Sequence, residues 1–384
     1  MKIVHVITDL STGGAEMMLY RLLSSLDSHK FDSQVISLTD KGSLGKKIED
    51  LGIPVRTLNA KRRIPDPRVL IRLYVWLRKS KPDIVHSWMY HANLIGGIAT
   101  KIYGKAHLIW AIHHSQLDFK NDKRTTLWTA KAGAMLSGWL PSTIVCCSQA
   151  TKKTHAKLGY KNNKMMVIPN GFDLALFAPN LGARKAIREE LGLGEETIII
   201  GLVARFHPHK DLFSFCQAAG HLHRIRPDVH FLLCGEGINW SNSQLAGWVD
   251  KAGIRPVTHL LGIRTDIPII QASMDIATLS SSSEGFPNAI GEAMASGVPC
   301  VATDVGDISI IIGDTGLVIG PGNPDILSNA WKEMIDMGPE ERRRLGEKAR
   351  QRIKTYFSLD NVVNEYCCLY RTTLTKEAKS SPHK

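Results

Sequence analysis

The chain has 384 residues, 43% hydrophobic and 22% charged, which makes it plainly globular and too long for one ordinary core. The net charge of +12 is uneven: residues 1–180 carry 26 Lys+Arg against 12 Asp+Glu, a net +14, and the remainder 22 against 24. The seven cysteines include the adjacent pairs Cys146–Cys147 and Cys367–Cys368 with no C-x-x-C, so neither a disulfide framework nor a zinc site is indicated and a reducing cytoplasm is expected.

MKIVHVITDL runs straight into a strand pattern, so no signal peptide is read there. STGGAE at 11–16 follows, and Gly13 and Gly14 permit a tight turn and close backbone approach to a phosphate or sugar. It is not G-x-G-x-x-G, which argues against a plain dinucleotide site. KRRIPDPRVLIRLYVWLRKSK at 61–81 holds eight Lys+Arg and one acid. Asp66 caps a helix there with Pro67 at its first position. Val69, Leu70, Leu73 and Leu77 face a core, and Arg68, Arg72 and Lys79 lie opposite. FDSQVISL, DIVHSW and HLIWAI read as buried strands between helices. His113 and His114 end the last of these, where ligands bind in such sheets, whereas His86 reads as structural. The most apolar stretch, 132–147, is broken by Pro141, so no membrane span is expected. A second basic segment, TKKTHAKLGYKNNK, covers 151–164.

Near 171–196 the pattern restarts. TIIIGLVAR mirrors the first strand, and HFLLCG, MDIATLS and VPCVAT follow, again with helices between them. The repeated order predicts an α/β protein of two doubly wound, Rossmann-like parallel-sheet domains, each binding ligand at the carboxyl ends of its strands. Domains are placed at 1–178 and 179–357, with a terminal segment at 358–384. Arg205 and Lys210 end the second opening strand and its turn, well placed to hold phosphates. His207 and His209 lack a third metal-like partner. The basic first half implies a negatively charged partner; an anionic membrane surface or a pyrophosphate-bearing lipid fits, and no nucleic-acid signature is present.

SSSSEGFPNAIGEAMASGVPCVAT, from Ser280 to Thr303, carries the most chemistry. Glu284 and Glu292 stand eight apart in a loop, helix and strand pattern, with Pro287 at the first helical position and Gly297 as a left-handed cap. The amides of Asn288 and Ala289 then open a helix whose N-terminus favours phosphate. Gly291, Ala293 and Ala295 indicate tight packing around Glu292.

EGFPNAIGEAMASG resembles the paired-glutamate signature of retaining glycosyltransferases of family 4, which have the GT-B fold. STGGAE, IPNGFD at 168–173, VARFHPHKD at 203–211, LCGEG at 233–237 and LGIRTDI at 261–267 match in the same order. The resemblance implies two domains facing a cleft, with the last helix, 359–376, crossing back to the first. It implies metal-independent transfer of a sugar from a nucleotide-diphosphate sugar to a saccharide or polyprenyl-diphosphate-linked acceptor, with no further cofactor, in cell-surface polysaccharide synthesis. The setting would be the cytoplasm and, peripherally, the inner face of the membrane. Glu284 and His113 would contact the transferred sugar. Gly14, Arg205, Lys210, Ile263, Phe286, Asn288, Ala289 and Glu292 would hold the donor, Glu292 at the ribose. One departure stands out: the family usually has glycine where this chain has Pro287. Base recognition relies on backbone groups near Ile263, which leaves UDP, GDP and ADP open. The rivals are a non-catalytic sugar-nucleotide-binding module and an epimerase or phosphorylase of the same fold.

Overall fold

The computed structural model describes residues 1–60, 66–114 and 124–378, so 61–65 of the basic segment lie outside the described residues. Two compact units emerge: 1–171 together with the segment from Leu359 onward, and 172–358. The first boundary falls seven residues before the predicted 178. The reason is Phe172. It is fully buried in the second unit, its N–H donates to Phe357 O at 2.9 Å, and its ring occupies the space that glycine leaves at position 291.

The first unit runs β1 (Lys2–Ile7), α1 (Gly14–Ser25), β2 (Asp32–Ser37), α2 (Leu44–Glu49), β3 (Val55–Thr57), α3 (Arg68–Ser80), β4 (Ile84–Trp88), α4 (Tyr90–Tyr103), β5 (His107–Ile112), α5 (Arg124–Leu136), β6 (Thr143–Cys146), α6 (Gln149–Leu158) and β7 (Met165–Val167). Its parallel sheet has the order β3-β2-β1-β4-β5-β6-β7. The chain steps one way from β1 to β3, then crosses back and steps the other way. With right-handed connections, α1 and α2 must cover one face and α3 to α6 the other. Alternate strand residues divide accordingly. Ile3, Ile7, Ile84 and Ile109 pack with Leu19 and Leu22 of α1, while Val4, Val6, Val85 and Trp110 pack with Leu73, Ala99 and Ala130.

The start of α3 differs from the sequence reading. The Asp66 carboxylate does accept from Arg68 N at 2.9 Å, but Pro67 is the cap and α3 begins one residue later. Val69, Leu73 and Leu77 are buried, whereas Leu70 is only half-buried.

The second unit runs α7 (Leu181–Leu191), β8 (Ile198–Val203), α8 (Leu212–His223), β9 (Val229–Cys234), α9 (Ser243–Ala252), β10 (Thr258–Leu260), α10 (Ile267–Ser273), β11 (Ile276–Leu279), α11 (Asn288–Ala295), β12 (Cys300–Thr303), α12 (Ile308–Ile312), β13 (Gly316–Ile319), α13 (Pro324–Asp336) and α14 (Gly338–Tyr356). Its parallel sheet has the order β10-β9-β8-β11-β12-β13. Phe215, Phe231 and Trp331 centre a core on one face. The chain then re-enters the first unit as α15 (Leu359–Ala378), which buries Val362, Tyr366 and Tyr370 beside α1.

Candidate active site

In the second unit the strand order reverses between β8 and β11, and ligands of open α/β sheets bind at such a reversal. The loops leaving these two strands are laced together. Ser282 N donates to His209 O at 2.8 Å, and Ser280 Oγ to Lys210 O at 2.8 Å. Lys210 and Glu284, 74 positions apart, thereby meet with Nζ to Oε1 at 2.5 Å. Ser281 Oγ donates to the same carboxylate oxygen at 2.6 Å. The Glu284 side chain is only 8% exposed. A carboxylate so enclosed is costly unless paired, and the ammonium supplies the pairing. Thr303 Oγ1, at the end of β12, braces the loop by donating to Ser281 O at 2.6 Å. Gly306, at φ +64°, lets the next loop approach so closely that a Cβ there would stand 2.7 Å from Glu284 O. The sequence reading missed Ser281 and Gly306; the serine run 280–283 was the visible signal.

α11 follows directly. Pro287 is its cap rather than its first residue, at φ −81° and ψ 73°. In that geometry Asn288 N donates to Phe286 O at 2.9 Å, so the Asn288 amide is turned back on its own chain. The Asn288 amide, expected to face a phosphate, thus already has a backbone acceptor. Phe286 itself is buried, stacked on Phe172 with ring centroids 6.0 Å apart, and would meet a ligand only through its backbone. Glu292 sits half-buried on the second turn of α11. Its neighbour Gly291 faces Phe172, where a Cβ would lie 2.0 Å from the ring. Gly297 follows the helix at φ +77°, as the pattern required.

The same sheet edge extends toward β9 and β10. Ala204 N donates to Cys234 O at 2.9 Å, Phe206 N to Glu236 O at 2.7 Å and Gly235 N to Gly262 O at 2.8 Å. Arg205 and Ile263 thus lie on adjoining loops, both exposed. Arg264 is paired with Asp266 and Glu190, at 2.8 and 2.6 Å, which raise its pKa further. The rings of His207 and His209 lie 4.9 Å apart, tilted to one another, in the turn before α8.

The first unit has its own reversal, between β1 and β4. Gly14 opens α1 at the end of β1, with the Glu16 carboxylate folded back over Gly13; burial pushes Glu16 up to about 7. At the end of β4, Met89 adopts φ 72° and ψ 163°, a conformation that costs about 1–3 kcal/mol for a residue with a side chain. Such strain marks an edge that sequence gave no means of seeing. His113 ends β5 and stacks on Trp88 at 5.4 Å, and burial lowers its pKa to about 4. It is therefore neutral at pH 7. His86 is buried against Tyr370, with Nδ1 and Oη 2.8 Å apart, as a structural histidine would be.

The second unit thus gathers Arg205, Lys210, Ile263, Glu284, Ala289 and Glu292 at one carboxyl edge, and the first unit gathers Gly14, Met89 and His113 at its own. Cations and a helix mouth at a sheet reversal suit a diphosphate, and carboxylates beside them suit hydroxyl-rich groups. Among the described residues no cluster of three or more His, Cys, Asp or Glu could hold a metal ion, and no helix is long and apolar enough to cross a membrane.

Comparison with known proteins agrees with this geometry. A UDP-Gal:alpha-D-GlcNAc-diphosphoundecaprenol alpha-1,3-galactosyltransferase from Escherichia coli is 27% identical over 351 residues, covering 87% of this chain and 88% of that protein. The crystal structure of Anabaena HepE in complex with UDP superposes with a TM-score of 0.85 at 22% identity, covering 97% of this chain and all of that one. A sucrose-phosphate synthase from Thermosynechococcus elongatus has a TM-score of 0.81 at 18% identity, covering 98% and 99%. Residues 12–176 match the model of Glycosyltransferase Family 4, and residues 183–352 that of Glycosyl transferases group 1. With both halves matched and the paired glutamates at the sheet reversal, the chain belongs to the family 4 glycosyltransferases of GT-B fold, enzymes that use nucleotide-sugar donors.

Proposed function

We propose that the protein is a retaining, metal-independent glycosyltransferase that moves a sugar from a UDP-sugar to a saccharide carried on a polyprenyl diphosphate, in the assembly of a cell-surface polysaccharide. The observation that carries this reading is the Lys210–Glu284 pair at the β8/β11 reversal, with the mouth of α11 beside it. When the glycosidic bond to the diphosphate breaks, negative charge grows on the leaving oxygens and positive character on the anomeric carbon. Arg205, Lys210 and the Ala289 amide face the first change, and Glu284 the second. Fixed cations do here what a metal ion does elsewhere. The bond between Lys210 and Glu284 also bears on mechanism: a carboxylate held by an ammonium and a serine is a poor nucleophile but a good electrostatic partner. Reaction on one face of the sugar, with retention, follows more naturally than a covalent intermediate. Neutral His113 serves as a hydrogen-bond partner to a sugar hydroxyl rather than as an acid.

The uracil base and the lipid-linked acceptor rest on likeness. The Escherichia coli relative is named for UDP-Gal and a diphosphoundecaprenol-linked sugar, and HepE was crystallised with UDP. On this reading the enzyme works in the cytoplasm, at an anionic membrane surface that carries the lipid-linked acceptor. The test has two stages. A thermal-shift panel of UDP, GDP and ADP should show the largest rise for UDP, because a ligand of the folded state stabilises by mass action. Turnover of UDP-galactose and UDP-glucose should then persist in EDTA and, by proton NMR, give a product with the donor's anomeric configuration. An inverted product, or a strict and reversible magnesium requirement, would overturn the mechanism. A response to GDP or ADP alone would overturn the choice of donor.

A further inference from the structure

The strand order puts α3 and α6, the helices of the two basic segments, into one helix layer. α3, α4, α5 and α6 cover the same face of the sheet, and together they carry ten Lys+Arg and no Asp or Glu. The opposite layer, α1, α2 and α15, carries five of each sign. The positive charge of the first half is thus concentrated on one side of the unit.

That side is also apolar at its surface. α4 packs against both α3 and α5, and their inward stripes fill the core. Outward, α3 shows Ile71 and Val75, α4 shows Ile102, and α5 shows Trp128 and Met135, with Trp139 just beyond. Trp128 is 72% exposed, Met135 85% and Trp139 60%. On α5 the exposed residues Arg124, Trp128, Lys131 and Met135 follow one another at helical spacing along a single stripe. Lys131 Nζ lies 5.9 Å from the Trp128 ring centre, and Lys101 Nζ 5.2 Å from that of Trp139. Trp128 and Trp139, each mostly exposed with a cation alongside, together with Met135 form an apolar surface that gains nothing from meeting only water.

We infer that the outer face of α3, α4 and α5 is a docking surface for an anionic lipid leaflet, with Trp128, Met135 and Trp139 entering the interface and the cations lying among the headgroups. Tryptophan and long cationic side chains are suited to the boundary between headgroups and acyl chains. The absence of acids on this layer distinguishes a lipid surface from a second copy of the chain, since two such faces would repel one another. The inference deepens the reading of a lipid-linked acceptor by naming the surface that reaches it, and it differs from a purely electrostatic association in requiring apolar insertion.

Flotation of the full chain with phosphatidylcholine vesicles, with and without phosphatidylglycerol, tests it. Binding is expected only with phosphatidylglycerol, and it should fade as salt rises. Trp128→Ser with Met135→Ser should lower partitioning at least tenfold at constant charge. Arg68→Glu with Lys131→Glu should lower it more than a hundredfold, as each cation near such a leaflet is worth about fivefold. Lys46→Glu with Lys47→Glu makes the same change of net charge on the opposite layer and should leave partitioning within about threefold. Equal loss in that control would mean that net charge alone acts, and would overturn the assignment. So would no flotation of the unaltered chain, retention on a single-stranded oligonucleotide in its place, or a dimer in sedimentation that Trp128→Ser with Met135→Ser dissolves. Calorimetric titration of the same variants with UDP separates the two readings. Retained UDP binding without flotation sinks the surface alone, whereas flotation without UDP binding sinks the donor reading alone.

Discussion

Gly291→Ala probes how the core of the second unit positions Glu292. The added Cβ would lie 2.0 Å from Phe172 Cζ and 2.4 and 2.6 Å from the adjoining ring atoms. Phe172 cannot yield easily, being fully buried and stacked on Phe286. Overpacking of a closed core costs about 1–3 kcal/mol, and a blocked ring puts this case near 3. Alanine returns about 1 kcal/mol through its helix propensity. A net loss of about 2 kcal/mol should lower the thermal midpoint by about 4–8 °C for a unit of this size. Because α11 must shift to relieve the clash, Glu292 moves with it, and UDP affinity should fall by about tenfold, as for one weakened hydrogen bond. Phe172→Leu removes the obstructing ring atoms. The double variant should therefore be more stable than the sum of the single losses by at least about 1 kcal/mol, and should regain UDP affinity. Differential scanning fluorimetry and calorimetry read both effects. An unchanged midpoint and affinity in Gly291→Ala, or strict additivity in the pair, would refute the reasoning.

Lys210→Met should destabilise the second unit by about 3 kcal/mol, since it strips the cation from a nearly buried carboxylate, and adding Glu284→Gln should restore most of the loss; denaturant titration checks the order. Glu284→Gln alone should keep UDP affinity and cut turnover sharply, and near-normal rates would make Glu284 structural. Arg205→Ala should reduce turnover by removing charge from the leaving diphosphate, measured as loss of kcat at saturating donor. The buried rings of His5 and His113, lowered to about 3 and about 4, make the first unit acid-sensitive. The unfolded chain takes up protons below about pH 6.5 while the folded rings stay neutral, so stability present above that value is lost as pH falls, by about 2 kcal/mol for each ring at pH 5. A thermal midpoint that stays level between pH 7.5 and pH 5 would contradict this.

The four central strands of each sheet were legible in sequence because a parallel sheet covered on both faces leaves near-continuous apolar runs, as in KIVHVIT and TIIIGLVAR, whereas the short outer strands β3, β6, β7, β10 and β13 were not read. Glu284, Glu292, Arg205 and Lys210 were legible as residue types at motif spacing. Their pairing was not, because Lys210 and Glu284 meet only through the order of β8 and β11. The domain boundary at 171–172 depended on Phe172 filling the space above Gly291, a contact across 119 positions. The turned-back Asn288 amide depended on the backbone angles of Pro287, and proline identity alone fixes only one of them. The two basic segments read as separate charge runs; the reversal of strand order is what places their helices, α3 and α6, on one face.

The most direct measurement of the account is a calorimetric titration of UDP into the unaltered protein and into Glu292→Ala. The second unit is held to bind the donor with Glu292 at the ribose, where its half-buried place on α11 suits a carboxylate accepting hydroxyl hydrogen bonds. UDP should bind the unaltered protein, and Glu292→Ala should weaken it by about 1–3 kcal/mol, roughly tenfold to a hundredfold, with an unchanged thermal midpoint in the absence of ligand. Equal affinity in the two proteins would remove Glu292 from the site and contradict the donor-binding account.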